Sequence, residues 1–211
     1  MRAVIFDFDG TIADSLPALL RMYDDVHGKP VHRTQEVVDS MRNKSMYQIA
    51  REMGLPLWKI AWLAVRGRRM LRRHLRSIRV YPGLTELIRD LYEARVKLFV
   101  VSTNHSENIR KYLQWHDLDS YFDGIYGGAH FWSKASMMRR VVKREGLDTS
   151  KLWCVGDEKV DVVSARGAGL RIISVTWGYS SKHGLELLKP DRLVTTVDGL
   201  RKVLSRWMKW L

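Results

Sequence analysis

The sequence predicts an α/β fold: a parallel sheet with helices on both faces, interrupted near its start by an inserted α-helical cap. Three observations predict it. Short apolar runs of strand length recur along the chain, among them Ala3–Phe8, Lys97–Val101, Leu152–Val155 and Leu170–Val175. Helical stretches alternate with them after residue 83, and near-continuous apolar runs, not period-2 alternation, mark strands buried on both faces. Residues 15 to about 80 carry helical patterning throughout and so break the alternation between the first and second strands.

Composition sets the outer bounds. A chain of 211 residues is one domain, or one domain with a modest insertion. A hydrophobic content of 45% with 28% charged residues supports a buried core and excludes wholesale disorder. Cys154 is the only cysteine, which excludes a disulfide scaffold and fits a reducing cytosol, so a cytoplasmic location is expected. No apolar run approaches the roughly 18 residues of a membrane span, and the first residues do not resemble a signal peptide.

Taken in order, Ala3–Phe8 is a buried strand. Asp14–Gly28 is a helix stopped at Gly28-Lys29-Pro30, residues 34–54 form two short helices, and Leu57–Arg79 is one long helix. On that helix Ile60, Ala64, Gly67, Leu71, Leu75 and Ile78 share a face, opposite Lys59, Arg66, Arg69, Arg73 and Arg76. Tyr81-Pro82-Gly83 is a break. Beyond it come helix 84–95 with a Leu84, Leu87, Ile88 and Leu91 stripe, strand 97–101, helix 106–116, a very short strand 124–126 and helix 134–145. Strand 152–155, helix 160–168, strand 170–175, an edge strand at 192–194 and a terminal helix 198–210 complete the pattern. The domain assignment is therefore a core of residues 1–14 and 81–211, with a cap of 15–80.

The formal net charge is +13, and eight of those charges lie between residues 53 and 85, where no acid occurs. A basic segment attracts anions, whether phosphorylated small molecules, nucleic acid or membrane surfaces. No nucleic-acid motif accompanies it, so a solvated face is the expected reading, with no nucleic-acid or membrane partner.

In open α/β sheets ligands bind beyond the carboxyl ends of the strands. The residues just past each strand are therefore the ones to read. Asp7, Asp9, Gly10 and Thr11 come after the first; Ser102, Thr103 and Asn104 come after the second; Lys134 opens a later helix; Gly156, Asp157, Glu158 and Asp161 come after the strand at 152. So many acids on one edge repel each other unless a cation sits among them, and hard oxygen ligands suit Mg²⁺. An amine and a hydroxyl beside a metal would hold an anion, which describes a phosphoryl site.

DFDGT at 7–11, the hydroxyls at 102–103, Lys134 and GDEKVD at 156–161 together resemble the four ordered motifs of the haloacid dehalogenase superfamily. The helical insertion before the second motif is similar to that of its C1-capped, phosphoglycolate phosphatase-like branch. The resemblance implies a Rossmann-like core and a Mg²⁺-dependent phosphatase acting on a small phosphorylated metabolite through an aspartyl-phosphate. It implies Asp7 as nucleophile and Asp9 as general acid and base. Asp7, the Asp9 carbonyl and Asp157 would hold the metal, supported by Asp161, and Ser102 or Thr103 with Lys134 would bind phosphate. Lys134 is expected close to Asp7. Thr103-Asn104 resembles the hydroxyl–Asn pair of phosphoglycolate phosphatase-like relatives, which favours Thr103 for the second motif, while Ser102, directly after the apolar run, stays open. Glu158 stays open as a substitute for Asp157 or an aid to it. The alternatives are a phosphomutase on the same scaffold and a non-catalytic protein that binds nucleic acid or a partner through the basic cap; a monomer or homodimer is expected.

Overall fold

A computed structural model describes residues 1–18, 21, 75–128 and 134–209. Its centre is a six-stranded sheet of β1 (Ala3–Phe6), β2 (Lys97–Val101), β3 (Gly124–Tyr126), β4 (Leu152–Gly156), β5 (Arg171–Val175) and β6 (Arg192–Val194). The spatial order is β3-β2-β1-β4-β5-β6, with every pair parallel. β1 is therefore central, with Val4 level with Leu98 on one side and Trp153 on the other.

The pleat sorts successive side chains onto two faces. Val4, Phe6, Leu98, Val100, Trp153, Val155, Ile173 and Val175 face one core. It is closed by α1 (Leu84–Glu93), α2 (Ser106–Trp115) and α6 (Val197–Lys209). Ala3, Ile5, Phe99, Val101, Leu152, Cys154 and Ile172 face the other. There α3 (Lys134–Arg144) and α4 (Lys159–Gly167) pack on them. The expected stripe of α1 is buried at all four positions, Leu84, Leu87, Ile88 and Leu91. Burying a side chain of this size contributes about 1.5–3 kcal/mol, so the two apolar layers supply the stability on which the polar edge depends.

The strands and helices expected from the alternation after residue 83 are present, with adjusted ends. β1 stops at Phe6, not Phe8: Asp7 still donates its N–H to Val155 O at 2.8 Å, but the chain then turns, with Thr11, Ile12 and Ala13 N–H groups converging on the Phe8 carbonyl. A short helix, α5 (Lys182–Glu186), was not expected; Ser181 caps it by accepting the Gly184 N–H.

Residues of 1–14 and 81–211 build the sheet and its helices, whereas 15–80 lies almost wholly outside the described residues, as do the basic helix beyond its last turns, Trp58, Trp62, His130, Phe131, Trp132 and Trp210. The junction itself is described. Asp14 N–H donates to Arg79 O at 2.9 Å, Tyr81 N–H to Ile12 O at 3.2 Å, and Ala13 bridges Val80 antiparallel. The chain leaves the sheet and returns to it side by side. Among the described residues no helix is long and apolar enough to cross a membrane.

Candidate active site

The carboxyl ends of β1, β2 and β4 lie next to one another, and the residue following each strand is polar and buried: Asp7, Ser102 and Asp157. Lys134, at the first turn of α3, is 1% exposed, and its Nζ donates to Asp7 Oδ1 and to Asp161 Oδ1, each at 2.6 Å. An ammonium buried to this extent requires such partners, because an unpaired charge out of water costs several kcal/mol. The expected proximity of Lys134 to Asp7 is thus present.

Each acid is held from more than one direction. Asp157 Oδ1 accepts the Thr11 hydroxyl at 2.7 Å and Oδ2 accepts the Tyr179 N–H at 2.7 Å. Asp161 Oδ2 accepts the Glu158 N–H at 2.9 Å, which ties the acid to the start of α4. Close backbone approach makes this possible. A Cβ on Gly10 would lie 2.3 Å from Asp157 Oδ2, and Gly10 also has φ +80°, so two independent constraints demand glycine. A Cβ on Gly178 would meet the same oxygen at 2.1 Å, and one on Gly156 would meet Asp161 Cγ at 2.4 Å.

One oxygen from each of Asp7, Asp157 and Asp161 lies within 4.8 Å of the others. Ligands on opposite sides of a six-coordinate Mg²⁺ stand about 4.2 Å apart, given metal–oxygen bonds of 2.0–2.1 Å, so the spacing of these acids is of the size one such ion would span. The charge balance points the same way. Burial raises the Asp7 carboxyl to about 7 even though Lys134 opposes the shift. Burial, followed by the charges of Glu158, Asp161 and Asp7, lifts Asp157 well above the ordinary carboxylate range. Glu158 rises to about 8, first through burial and then through Asp161 and Asp7. Burial also works against the charge on Lys134, but Asp161 and Asp7 outweigh it and hold the ammonium above its usual value. One lysine does not balance this many carboxylates; a divalent cation would.

Asp9 stands apart from the three clustered acids. Its Oδ2 accepts the Asn104 amide at 2.9 Å, while Oδ1 is buried without a hydrogen-bond partner among the described residues. Burial raises its carboxyl, and the Asn104 and Ser15 side chains oppose the shift. Of the two candidate hydroxyls, Ser102 is buried at the end of β2 and Thr103 is exposed. Ser102 Oγ accepts the Asn104 N–H at 3.1 Å, which leaves its own hydrogen free to donate elsewhere. Glu158 is not one of the three clustered acids.

Sequence reasoning missed the segment after β5. Trp177 Nε1 donates to Thr11 O at 3.2 Å, Tyr81 donates to Trp177 O, and the Tyr179 hydroxyl shares a 2.6 Å hydrogen bond with Ser15. The signal was available: the rule that ligands gather past the strand ends applies to Val175 as well, and Trp-Gly-Tyr at 177–179 lies just beyond it. Ser15 joins Tyr179 beside Asp9.

The sequence matches the family described as haloacid dehalogenase-like hydrolase over residues 4–175, which takes in every element of this site except the 177–179 segment. The chain belongs to that family. A phosphoglycolate phosphatase from Synechococcus elongatus is 33% identical over 213 residues, spanning 99% of this chain and 100% of the relative. A phosphoglycolate phosphatase from Vibrio parahaemolyticus is 24% identical, spanning 97% of this chain and 96% of its own length. Among solved structures, a predicted phosphatase from Clostridium acetobutylicum superposes with a TM-score of 0.81 at 20% identity, over 97% of this chain and 98% of that one. A haloacid dehalogenase-like hydrolase from Streptococcus pneumoniae superposes with a TM-score of 0.80 at 21% identity, over 98% of both chains. The resemblance drawn from the four motifs therefore holds. So does the α/β fold class with its parallel sheet, and the chain is an enzyme of a hydrolase family whose named relatives are phosphoric monoester hydrolases.

Proposed function

We propose that the protein hydrolyses a small phosphate monoester with Mg²⁺, through an aspartyl-phosphate on Asp7. The observation that carries this reading is the buried set of Asp7, Asp157 and Asp161 closed around Lys134 at the carboxyl edge of the sheet. Asp7, the Asp9 carbonyl and Asp157 would hold the metal, and Asp161 would support it by fixing Lys134 and the start of α4. When bound, the metal neutralises charge on the phosphoryl oxygens and on the acids around it.

The Asp7 carboxylate attacks phosphorus; the Asp7 O–P bond forms as the ester P–O bond breaks. Asp9 gives its proton to the departing alkoxide. Asp9 then takes a proton from water as that water attacks the aspartyl-phosphate, which releases inorganic phosphate and regenerates Asp7. Lys134 has three N–H donors, and two are committed to Asp7 and Asp161, so the third is available to a phosphate oxygen. Ser102 supplies a second donor; its position favours it over the exposed Thr103.

The core of 1–14 and 81–211 would carry this chemistry, and the cap of 15–80 would cover the substrate and exclude bulk water. The names of the relatives make 2-phosphoglycolate the first substrate to try. The single Cys154, buried in β4, fits a reducing, cytoplasmic setting. The test is acid quenching during turnover, followed by mapping of the phosphorylated peptide. A phosphoryl group on Asp7 with stoichiometric release of inorganic phosphate is expected. Phosphoryl return to the substrate would indicate a mutase, and label at another residue would overturn the nucleophile assignment.

A further inference from the structure

Asn104 is engaged at each of its polar groups. Its N–H donates to Ser102 Oγ at 3.1 Å, and its carbonyl accepts the Gly128 N–H at 2.6 Å. Its side-chain Oδ1 accepts the His105 N–H at 2.8 Å and the Asn108 amide at 3.1 Å, while Nδ2 donates to Asp9 Oδ2 at 2.9 Å. The neighbouring chain is equally constrained, since a Cβ on Gly127 would lie 2.2 Å from Ser106 N and 2.4 Å from Asn104 O.

This network fixes which end of the amide faces Asp9. A backbone N–H only donates, so the Asn104 atom nearest His105 N is the oxygen, and the atom turned toward Asp9 is the nitrogen. Asp9 Oδ2 is consequently a committed acceptor. Oδ1 is buried and makes no hydrogen bond to the described residues; the Ser15 hydroxyl, which also acts on this carboxyl, is itself bonded to Tyr179, so Oδ1 is open to an incoming group.

We propose that Asn104, held by Asn108 and the His105 backbone, is a positioning residue for Asp9: it reserves Oδ2 as an acceptor and leaves Oδ1 as the oxygen that passes the proton to the leaving group. The inference rests on the general-acid role proposed for Asp9. As the Asp7–phosphorus bond forms and the ester P–O bond breaks, the Oδ1 proton moves to the departing alkoxide. In this role Asn104 acts through Asp9.

The test compares kcat/KM on p-nitrophenyl phosphate, whose acidic phenol leaves without protonation, with kcat/KM on the best alkyl phosphate substrate. kcat/KM is the readout because it covers the steps through phosphoryl transfer to Asp7 and excludes the later hydrolysis. The variants are Asp9→Asn, Asn104→Leu, which keeps the branched shape and removes the amide, and Asn108→Leu, which removes the Asn108 hydrogen bond to Asn104. For Asn104→Leu the alkyl phosphate is expected to lose roughly tenfold or more beyond any loss on p-nitrophenyl phosphate, a share of the 10²–10⁴-fold typical of general acids. Asn108→Leu should show the same bias at smaller size. Equal losses on both substrates in Asn104→Leu, with the bias intact in Asp9→Asn, would mean that Asn104 is merely structural and would overturn the proposal. Absence of the bias in Asp9→Asn would instead remove the general-acid reading itself. If Asn104→Leu fails to fold by circular dichroism, Asn108→Leu decides alone: a biased loss supports the positioning role and an equal loss rejects it.

Discussion

Phe6 and Asp7 are adjacent in the chain and almost equally buried, as are Val101 and Ser102, and Gly156 and Asp157. The strand interior holds only what stabilises the fold, while the position just past it holds what the fold must tolerate. In the interior, each buried side chain lowers the free energy by leaving water. At the edge, burial raises the Asp7, Asp157 and Glu158 carboxyls, which is the mark of groups held in an unfavourable state for use. Stability and chemistry thus occupy successive residues of the same three strands, and substitutions on either side should separate cleanly.

The largest separation is expected at Asp7. Asp7→Asn should lower turnover of p-nitrophenyl phosphate by roughly 10³-fold or more, on the scale of losing a covalent nucleophile, while circular dichroism and Tm stay near those of the parent. Lys134 should break the separation, because it belongs to both regions. Lys134→Met leaves Asp7 and Asp161 buried without their shared cation, so a loss of about 3–5 kcal/mol in urea unfolding is expected together with loss of activity. Interior truncation should do the reverse of Asp7→Asn. Leu91→Ala, at a fully buried position of α1, should cost about 2–5 kcal/mol and lower Tm, with kcat per folded molecule unchanged.

The smallest expected effect is a pH dependence that sharpens the contrast. A carboxyl whose folded value lies above its unfolded value binds more protons in the folded state, so it costs stability as pH rises between the two. For Asp7 the window runs from 3.8 to about 7, and Asp157 acts with the same sign. The metal-free protein should lose Tm across this window, and added Mg²⁺ should restore more Tm near pH 7.5 than near pH 5, because protonated acids do not bind it. An equal Mg²⁺ effect at both pH values would place the metal away from these acids.

Much of this division was legible in the sequence. Runs such as AVIF and LWCV are apolar because both faces of the sheet are covered, and an acid directly after such a run is conspicuous. Asp7, Asp9 and Asp157 stood out for that reason, and Lys134 as an amine opening a later helix. Contacts that depend on side-chain direction were less accessible. Asn104 was visible as a neighbour of Thr103, but nothing in the letters says that its amide faces Asp9, that Asn108 holds it one helical turn later, or that Thr103 faces solvent while Ser102 is enclosed. Tyr179 reaches Asp157 through a backbone N–H, a group every non-proline residue carries and no motif marks. The expected end of β1 at Phe8 failed on similar grounds, since apolarity continues through a turn that the Phe8 carbonyl organises.

The central claim is that the acids past β1 and β4 serve a divalent cation and, through it, phosphoryl transfer. Its most direct test is the initial rate of phosphate release from p-nitrophenyl phosphate by chelator-stripped protein as Mg²⁺ is titrated in. The rate should climb from background to a plateau, fall back when chelator is restored in excess, and remain at background throughout for Asp157→Asn. A parent protein that works equally fast in excess chelator, or an Asp157→Asn variant that follows the parent's curve, would contradict the account.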